Sequence, residues 1–177
     1  MEQYVDINFA QALGFVGYLI GITLSLQKDD AKLRFLLVCM CAVMMVHFAL
    51  LGSFISAFMC ILNGARTYFS GKTKSLKVMF GFITLMWILG LSQFTEYYQL
   101  ITIFTSSLAT YGLYRTSGIK MRLLFLTNNV GWTINNYIVG SIGGTLMEST
   151  FILMNLITIY RLSIDTKKAA MQDSKSC

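Results

Sequence analysis

Proline is absent from all 177 residues, so any bend in a helix must be permitted by glycine. Charge is nearly as scarce. Only 12% of residues are charged against 55% hydrophobic, and the mean hydropathy is +0.63, which leaves too little polar surface to cover a water-soluble globule. The chain therefore reads as an integral membrane protein. Cysteine is limited to Cys39, Cys41, Cys60 and Cys177. Cys39 and Cys41 stand two apart on a predicted helix and diverge by about 200°, which is poor chelate geometry. Buried thiols are expected rather than a disulfide framework or a metal site, and the closing "SKSC" is not a prenylation box. A phosphate loop, an H-E-x-x-H, a nucleophile elbow and paired aspartates are all missing, so no motif argues for catalysis and no cofactor is expected.

What is present is a pattern of basic residues. Lys28, Lys32 and Arg34 form one cluster; Arg66, Lys72, Lys74 and Lys77 a second; Arg115, Lys120 and Arg122 a third; Arg161, Lys167, Lys168 and Lys175 a fourth. They occupy every second gap between apolar stretches, as in a membrane chain that gathers its positive charge in cytoplasmic loops. Runs of roughly 17 to 22 apolar residues, enough to cross about 30 Å of hydrocarbon, predict seven spans. These lie at approximately 9–26, 32–51, 53–69, 76–94, 97–115, 119–139 and 142–162. An odd number of spans with all clusters on one side puts the N-terminus outside and the C-terminus in the cytoplasm. The start "MEQYVDINFA" lacks the positive region of a cleavable signal, so the first span is expected to be retained. Anionic lipid headgroups are the expected partners of the +6 net charge, and nucleic acid is not. The tail 163–177 reads as polar, basic, cytoplasmic and disordered.

Sliding the sequence by 88 positions brings Lys32 onto Lys120, Arg34 onto Arg122, Leu36 onto Leu124, Gly52 onto Gly140 and Ser53 onto Ser141. A four-residue insertion in the following turn then brings Asn63 onto Asn155, Tyr68 onto Tyr160 and Ser56 onto Glu148. The expected fold is therefore all-α, within one transmembrane domain over 1–162. It comprises a three-helix repeat at about 9–70, a linker helix at about 76–94, and a second, parallel repeat at about 97–162. Such pairs commonly enclose a pathway, with a binding site near the bilayer midplane. The competing explanation is that apolar composition and positive-inside bias alone create the similarity.

Ionisable groups in hydrocarbon are costly and usually face a cavity or a partner. His47, the single histidine, aligns with Asn135; it fits either a neutral imidazole joining helices or a proton-handling group. Glu148 shares a helix face with Asn155, and the corresponding face of the third span carries Ser56 and Asn63, with Arg66 one turn deeper. Glu148 fits either a solute or ion site or a pair that only holds helices together. The sixth span carries Asn128, Asn129, Trp132, Asn135 and Asn136. Asn128, Trp132 and Asn135 form one stripe, too polar for lipid and consistent with a water-accessible cavity in which Trp132 is a stacking surface. Gly14, Gly17 and Gly21 in "GFVGYLIG" allow close helix approach.

The segments "QALGFVGYLIG", "HFALLG", "ILNGART" and "GSIGGTLMESTFILMNLITIYRL" resemble bacterial inner-membrane proteins of the YgjV type, from about Gln11 to Leu162. That resemblance implies a small multi-pass protein of the bacterial inner membrane and carries no established activity. The three-one-three plan is also similar to the SWEET and PQ-loop transporters, whose asparagines in spans three and seven and tryptophans in spans two and six line a sugar site. Asn63, Asn155 and Trp132 match those roles, but the repeat partner of Trp132 is Met44 and the proline hinges are missing. The expected function is a carrier of a small polar solute. Asn63, Asn155, Trp132, Asn128 and Asn135 would contact the solute, and Glu148, His47 and Arg66 would act as proton, ion or charge partners. The alternatives are a non-transporting interaction or accessory protein and, third, an intramembrane enzyme using Glu148 and His47.

Overall fold

The computed structural model describes residues 2–25, 30–92 and 94–176; Lys28 and Cys177 lie outside them. Seven helices follow one another: α1 (Glu2–Ser25), α2 (Asp30–Leu50), α3 (Phe54–Ser70), α4 (Leu76–Ser92), α5 (Tyr98–Arg115), α6 (Gly118–Val139) and α7 (Ile142–Ser176). Among the described residues there is no strand. The expected spans are recovered with two differences. α1 begins at Glu2, and α7 continues as helix to Ser176, so the tail expected to be disordered after Leu162 is helical. Its segment "TKKAAMQ" is made largely of strong helix formers, which extend a helix already nucleated by the span before it.

The interior mixes an apolar cluster with many polar side chains, and the outside is apolar. His47, Ser56, Thr102, Ser106, Thr110, Asn135 and Asn136 are all at most 1% exposed, whereas Leu19, Phe35, Phe58, Phe80, Ile88, Phe104, Ile138 and Leu153 face outward. Water would reverse that distribution, so hydrocarbon is the solvent this surface fits. The inward polarity also explains a disagreement with hydropathy. Among the described residues only Ile142–Ile164 is long and apolar enough to qualify as a span by composition, with Ile7–Thr23, Phe35–Leu50 and Leu76–Ser92 shorter. A helix that lines a polar interior needs apolar residues only on its outer face.

The helices pack as a ring in the order α1, α2, α3, α5, α6, α7, and α7 closes back on α1; α4 packs outside, against α3 and α5. Exchanging α1, α2 and α3 for α5, α6 and α7 leaves this order unchanged. The turns α2–α3 and α6–α7 are also built alike. Gly52 and Gly140 have φ +74° and +77°. In each, the glycine N–H bonds the carbonyl three residues back (Ala49, Tyr137), and the following serine N–H bonds the carbonyl five residues back (Phe48, Asn136). This is a Schellman stop, which a left-handed glycine permits without Cβ strain. Gly140→Ala is expected to destabilise by roughly 1 kcal/mol, because alanine resists that conformation; a melting curve of the purified protein should fall by a few degrees, and an unchanged midpoint would count against the turn.

Arg66 stands apart from the rest of its basic cluster: as the span 53–69 implies, it sits inside α3, at 6% exposure, whereas Lys72 and Lys74 lie in the α3–α4 connection. The end of the bundle carrying the α1–α2, α3–α4 and α5–α6 connections is called the basic end below, and the opposite one the turn end.

Candidate functional site

A cavity of about 640 Å³ lies inside the ring, within the size range of small-molecule sites. Much of its lining comes in pairs at the registers found in the sequence. Leu37 and Phe125, Met40 and Asn128, Cys41 and Asn129, Met44 and Trp132, and Phe48 and Asn136 stand 88 apart; Asn63 and Asn155, and Arg66 and Thr158, stand 92 apart. The α2 wall is apolar where the α6 wall carries amides and an indole. The cavity runs from the level of Phe48 and Asn136 to that of Met121 and Arg122 near the basic end.

On the α6–α7 wall the polar groups form one chain. Arg122 Nη1 donates to Asn155 Oδ1 at 3.3 Å. With the Asn129 amide turned so that its nitrogen meets acceptors, Asn155 Nδ2 donates to Asn129 Oδ1 at 2.9 Å, and Asn129 Nδ2 donates to Phe125 O at 3.1 Å and Glu148 Oε2 at 3.3 Å. Glu148, 8% exposed, is thus reached from the basic end through two amides. Residues 148 and 155 share a face of α7 because seven residues make almost two turns.

The α3 wall, and Asn136 of α6 toward the turn end, are less satisfied. Arg66 Nη1 donates to Ser106 O at 2.7 Å and to Thr110 Oγ1 at 2.5 Å, but its Nε has no partner among the described residues. Neither has Asn63 Oδ1, nor either amide atom of Asn136, although all these atoms are buried and their residues line the cavity. A buried polar atom left unpaired costs about 1–3 kcal/mol, so four such atoms around one void mark a place for water or a polar ligand. Trp132 Nε1 donates to Ser106 Oγ at 3.1 Å, and Ser106 Oγ donates to Asn128 Oδ1 at 3.1 Å. Those bonds hold the indole with its ring against Phe48, centroids 5.8 Å apart.

Six of the eight residues singled out from the sequence line this cavity: Asn63, Asn155, Trp132, Asn128, Glu148 and Arg66. Asn135 does not. Its Nδ2 donates to Ser56 Oγ at 2.9 Å, tying α6 to α3. The lining stripe therefore runs through Asn136 rather than Asn135, because residues 128, 132 and 136 at intervals of four follow the helix face turned to the cavity. Nor is His47 beside Glu148. Its Nδ1 and Nε2 lie 2.6 Å from Ala10 O and from Ser141 Oγ, while its ring packs where a Cβ on Gly14 would come within 2.9 Å of Cε1. Gln11 adds to this seal at the turn end: its Nε2 donates to Gly140 O at 2.7 Å and its Oε1 accepts from Ile142 N at 3.1 Å. The imidazole is thus part of the bonding that ties α1 and α2 to the α6–α7 turn. Arg122, Asn129 and Asn136 were not assigned to the site from sequence; the register offered a signal, since Asn129 and Asn136 flank the stripe and Arg122 is the copy of Arg34.

A family described as bacterial inner membrane protein, Imp-YgjV, matches residues 8–166. Inner membrane protein YgjV of Escherichia coli (strain K12) is 37% identical over 152 residues, which cover 86% of this chain and 83% of that protein. No solved structure matches the chain.

Proposed function

The chain belongs to the Imp-YgjV family of bacterial inner membrane proteins, and from that premise we propose that it is a carrier of a small polar solute, built as two parallel three-helix repeats around the cavity. The observation that carries this reading is the cavity itself. It lies between α2, α3, α6 and α7, is lined by matched positions of the two halves, and presents polar atoms that nothing among the described residues satisfies. The seal at the turn end, with the cavity extending toward the basic end, is the arrangement of a carrier closed on one side. Asn63 and Asn155 orient the solute, and Trp132 stacks on it. Asn128 sets the indole, Glu148 and Arg66 are charge partners, and His47 closes the turn end. The basic end faces the cytoplasm, beside anionic headgroups.

Orientation is checked by fusions at the C-terminus: green fluorescent protein should fluoresce there, and alkaline phosphatase should be inactive. The reverse pair would invert the assignment. The carrier reading is tested by access to the cavity. In a variant with Cys39, Cys41, Cys60 and Cys177 replaced by alanine and Asn128 by cysteine, a membrane-impermeant thiol reagent should label from the cytoplasmic side in everted vesicles. It should also label, more slowly, from the outer side of intact spheroplasts, and His47→Ala should raise that outer rate about tenfold by removing the seal. Labelling from one side only in both backgrounds would sink the carrier and leave an accessory subunit, expected to co-purify with another membrane protein.

A further inference from the structure

Of the charged side chains that line the cavity, Arg66 and Glu148 are deeply buried, at 6% and 8% exposure, whereas Arg122 stands half-buried near the basic end, bonded to Asn155. Among the described residues no hydrogen bond joins them. Arg66 bonds Ser106 and Thr110 on α5, while Glu148 accepts from Asn129 on α6. They nevertheless lie at one depth. The Ser106 that receives Arg66 at its carbonyl also bonds Asn128 through its hydroxyl, and the next residue along α6, Asn129, holds Glu148. Each charge belongs to a different half of the molecule, and each has an uncharged hydroxyl at the matching position of the other half, Thr158 for Arg66 and Ser56 for Glu148.

With Arg122 held by Asn155 near the basic end, the two deeply buried groups of opposite charge type, held apart across the void, define what would fill it. A plain anion would satisfy Arg66 and leave Glu148 facing a like charge, a plain cation would do the converse, and an uncharged polyol would compensate neither. Breaking or omitting one partner of a buried charge pair is strongly unfavourable in a low-dielectric site, so each of these solutes is selected against. A solute bearing both charges compensates both. We propose that the cavity takes a small zwitterion, with its anionic group on the unpartnered Nε edge of Arg66 and its cationic group on the carboxylate of Glu148. A carboxylate is the favoured anion, because its oxygens match the planar N–H donors of a guanidinium. The indole of Trp132 covers the body of the solute, and the free amide atoms of Asn136 and Asn63 take its remaining polar contacts. A zwitterion also bridges the two halves, which a solute held by one wall would not.

This inference rests on the carrier reading only for movement, not for binding, and the two are separated by experiment. The purified full chain is melted with L-leucine and with 6-aminohexanoate, zwitterions with close and with widely spaced charges, and with hexanoate, leucinamide and erythritol as anion, cation and neutral controls. At least one zwitterion should raise the melting temperature, and the controls should not. Arg66→Gln and Glu148→Gln should each weaken the zwitterion by roughly tenfold or more, and only Glu148→Gln should gain binding of hexanoate. Absence of a shift with both zwitterions, or an equal shift with hexanoate or erythritol, overturns the proposal. That comparison uses the unaltered protein and stands even where a variant fails to fold. Zwitterion binding without zwitterion exchange in proteoliposomes removes the carrier and keeps the site; exchange of erythritol without zwitterion binding does the opposite.

Discussion

Gly143→Ala should prevent accumulation of a folded protein, the largest stability effect expected from a single methyl group in this chain. A Cβ at Gly143 would stand 2.3 Å from the carbonyl carbon of Gly14, 2.4 Å from its oxygen and 2.7 Å from the nitrogen of Phe15. These are backbone atoms, which no rotamer change moves aside. α1 and α7 must separate, and with them goes the closure of the ring. The same displacement pulls Gln11 from the α6–α7 turn and Ala10 from His47. Overpacking of side chains costs about 1–3 kcal/mol; a clash with main chain, plus the lost bonds, should cost roughly 3 kcal/mol or more. Gly81→Ala is the control, because nothing lies within 4 Å of its added methyl. Alanine improves helix propensity there by about 1 kcal/mol in an exposed helix, so its melting temperature should hold or rise. Fluorescence-detected gel filtration of both variants decides the matter: a monodisperse Gly143→Ala peak with the parent's melting temperature would show that the helices approach less closely than described.

The same contact illustrates what the sequence could and could not say. The stripe Gly14, Gly17, Gly21 announces that another helix comes close, because only small residues admit one. It does not announce which helix. Gly14 meets Gly143 of α7, Gly17 meets Met44 of α2, and Gly21 meets Met147 and Phe151 of α7, so one stripe serves two neighbours. Helix rotation and tilt decide that, and neither is written in a local pattern. The 88-residue register carried more. A register of 88 not only aligns Gly52 with Gly140 but also Gln11 with Gln99, and the first of these glutamines caps the turn at residues 140–142 while the second accepts from Thr95 and Glu96 N–H instead. Matching positions thus foretell place and not bonding. Arg66 was legible as a charge and misleading as a marker, since positive-inside reasoning treats each cation alike whether it lies in a loop or, as here, one turn short of the helix end and turned inward.

Removing both Asn63 and Asn155 side chains should bring solute exchange to background, the largest functional effect expected outside the charged pair. The two positions stand 92 apart in the sequence register, yet they are bonded differently. Asn155 accepts from Arg122 and donates to Asn129, so Asn155→Ala cuts the chain of bonds that orients Glu148. Asn63 has a buried Oδ1 without a partner, so Asn63→Ala removes a contact waiting for the solute. Each bond to a solute contributes about 0.5–1.5 kcal/mol, and misdirecting Glu148 adds to the loss at Asn155. The single variants should therefore lose several-fold to tenfold in exchange rate, and the pair roughly a hundredfold, since every 1.4 kcal/mol is about a factor of ten. Asn135→Ala separates this from general damage. That amide bonds Ser56 away from the cavity, so its loss should lower the melting temperature and leave solute affinity as it was. Exchange is measured in proteoliposomes loaded with equal amounts of monodisperse protein, with the solute that stabilises the parent. Undiminished exchange in the double variant would move the binding site away from the two asparagines. A drop in Asn135→Ala equal to that in the pair would turn the amides of α6 into helix connectors and nothing more.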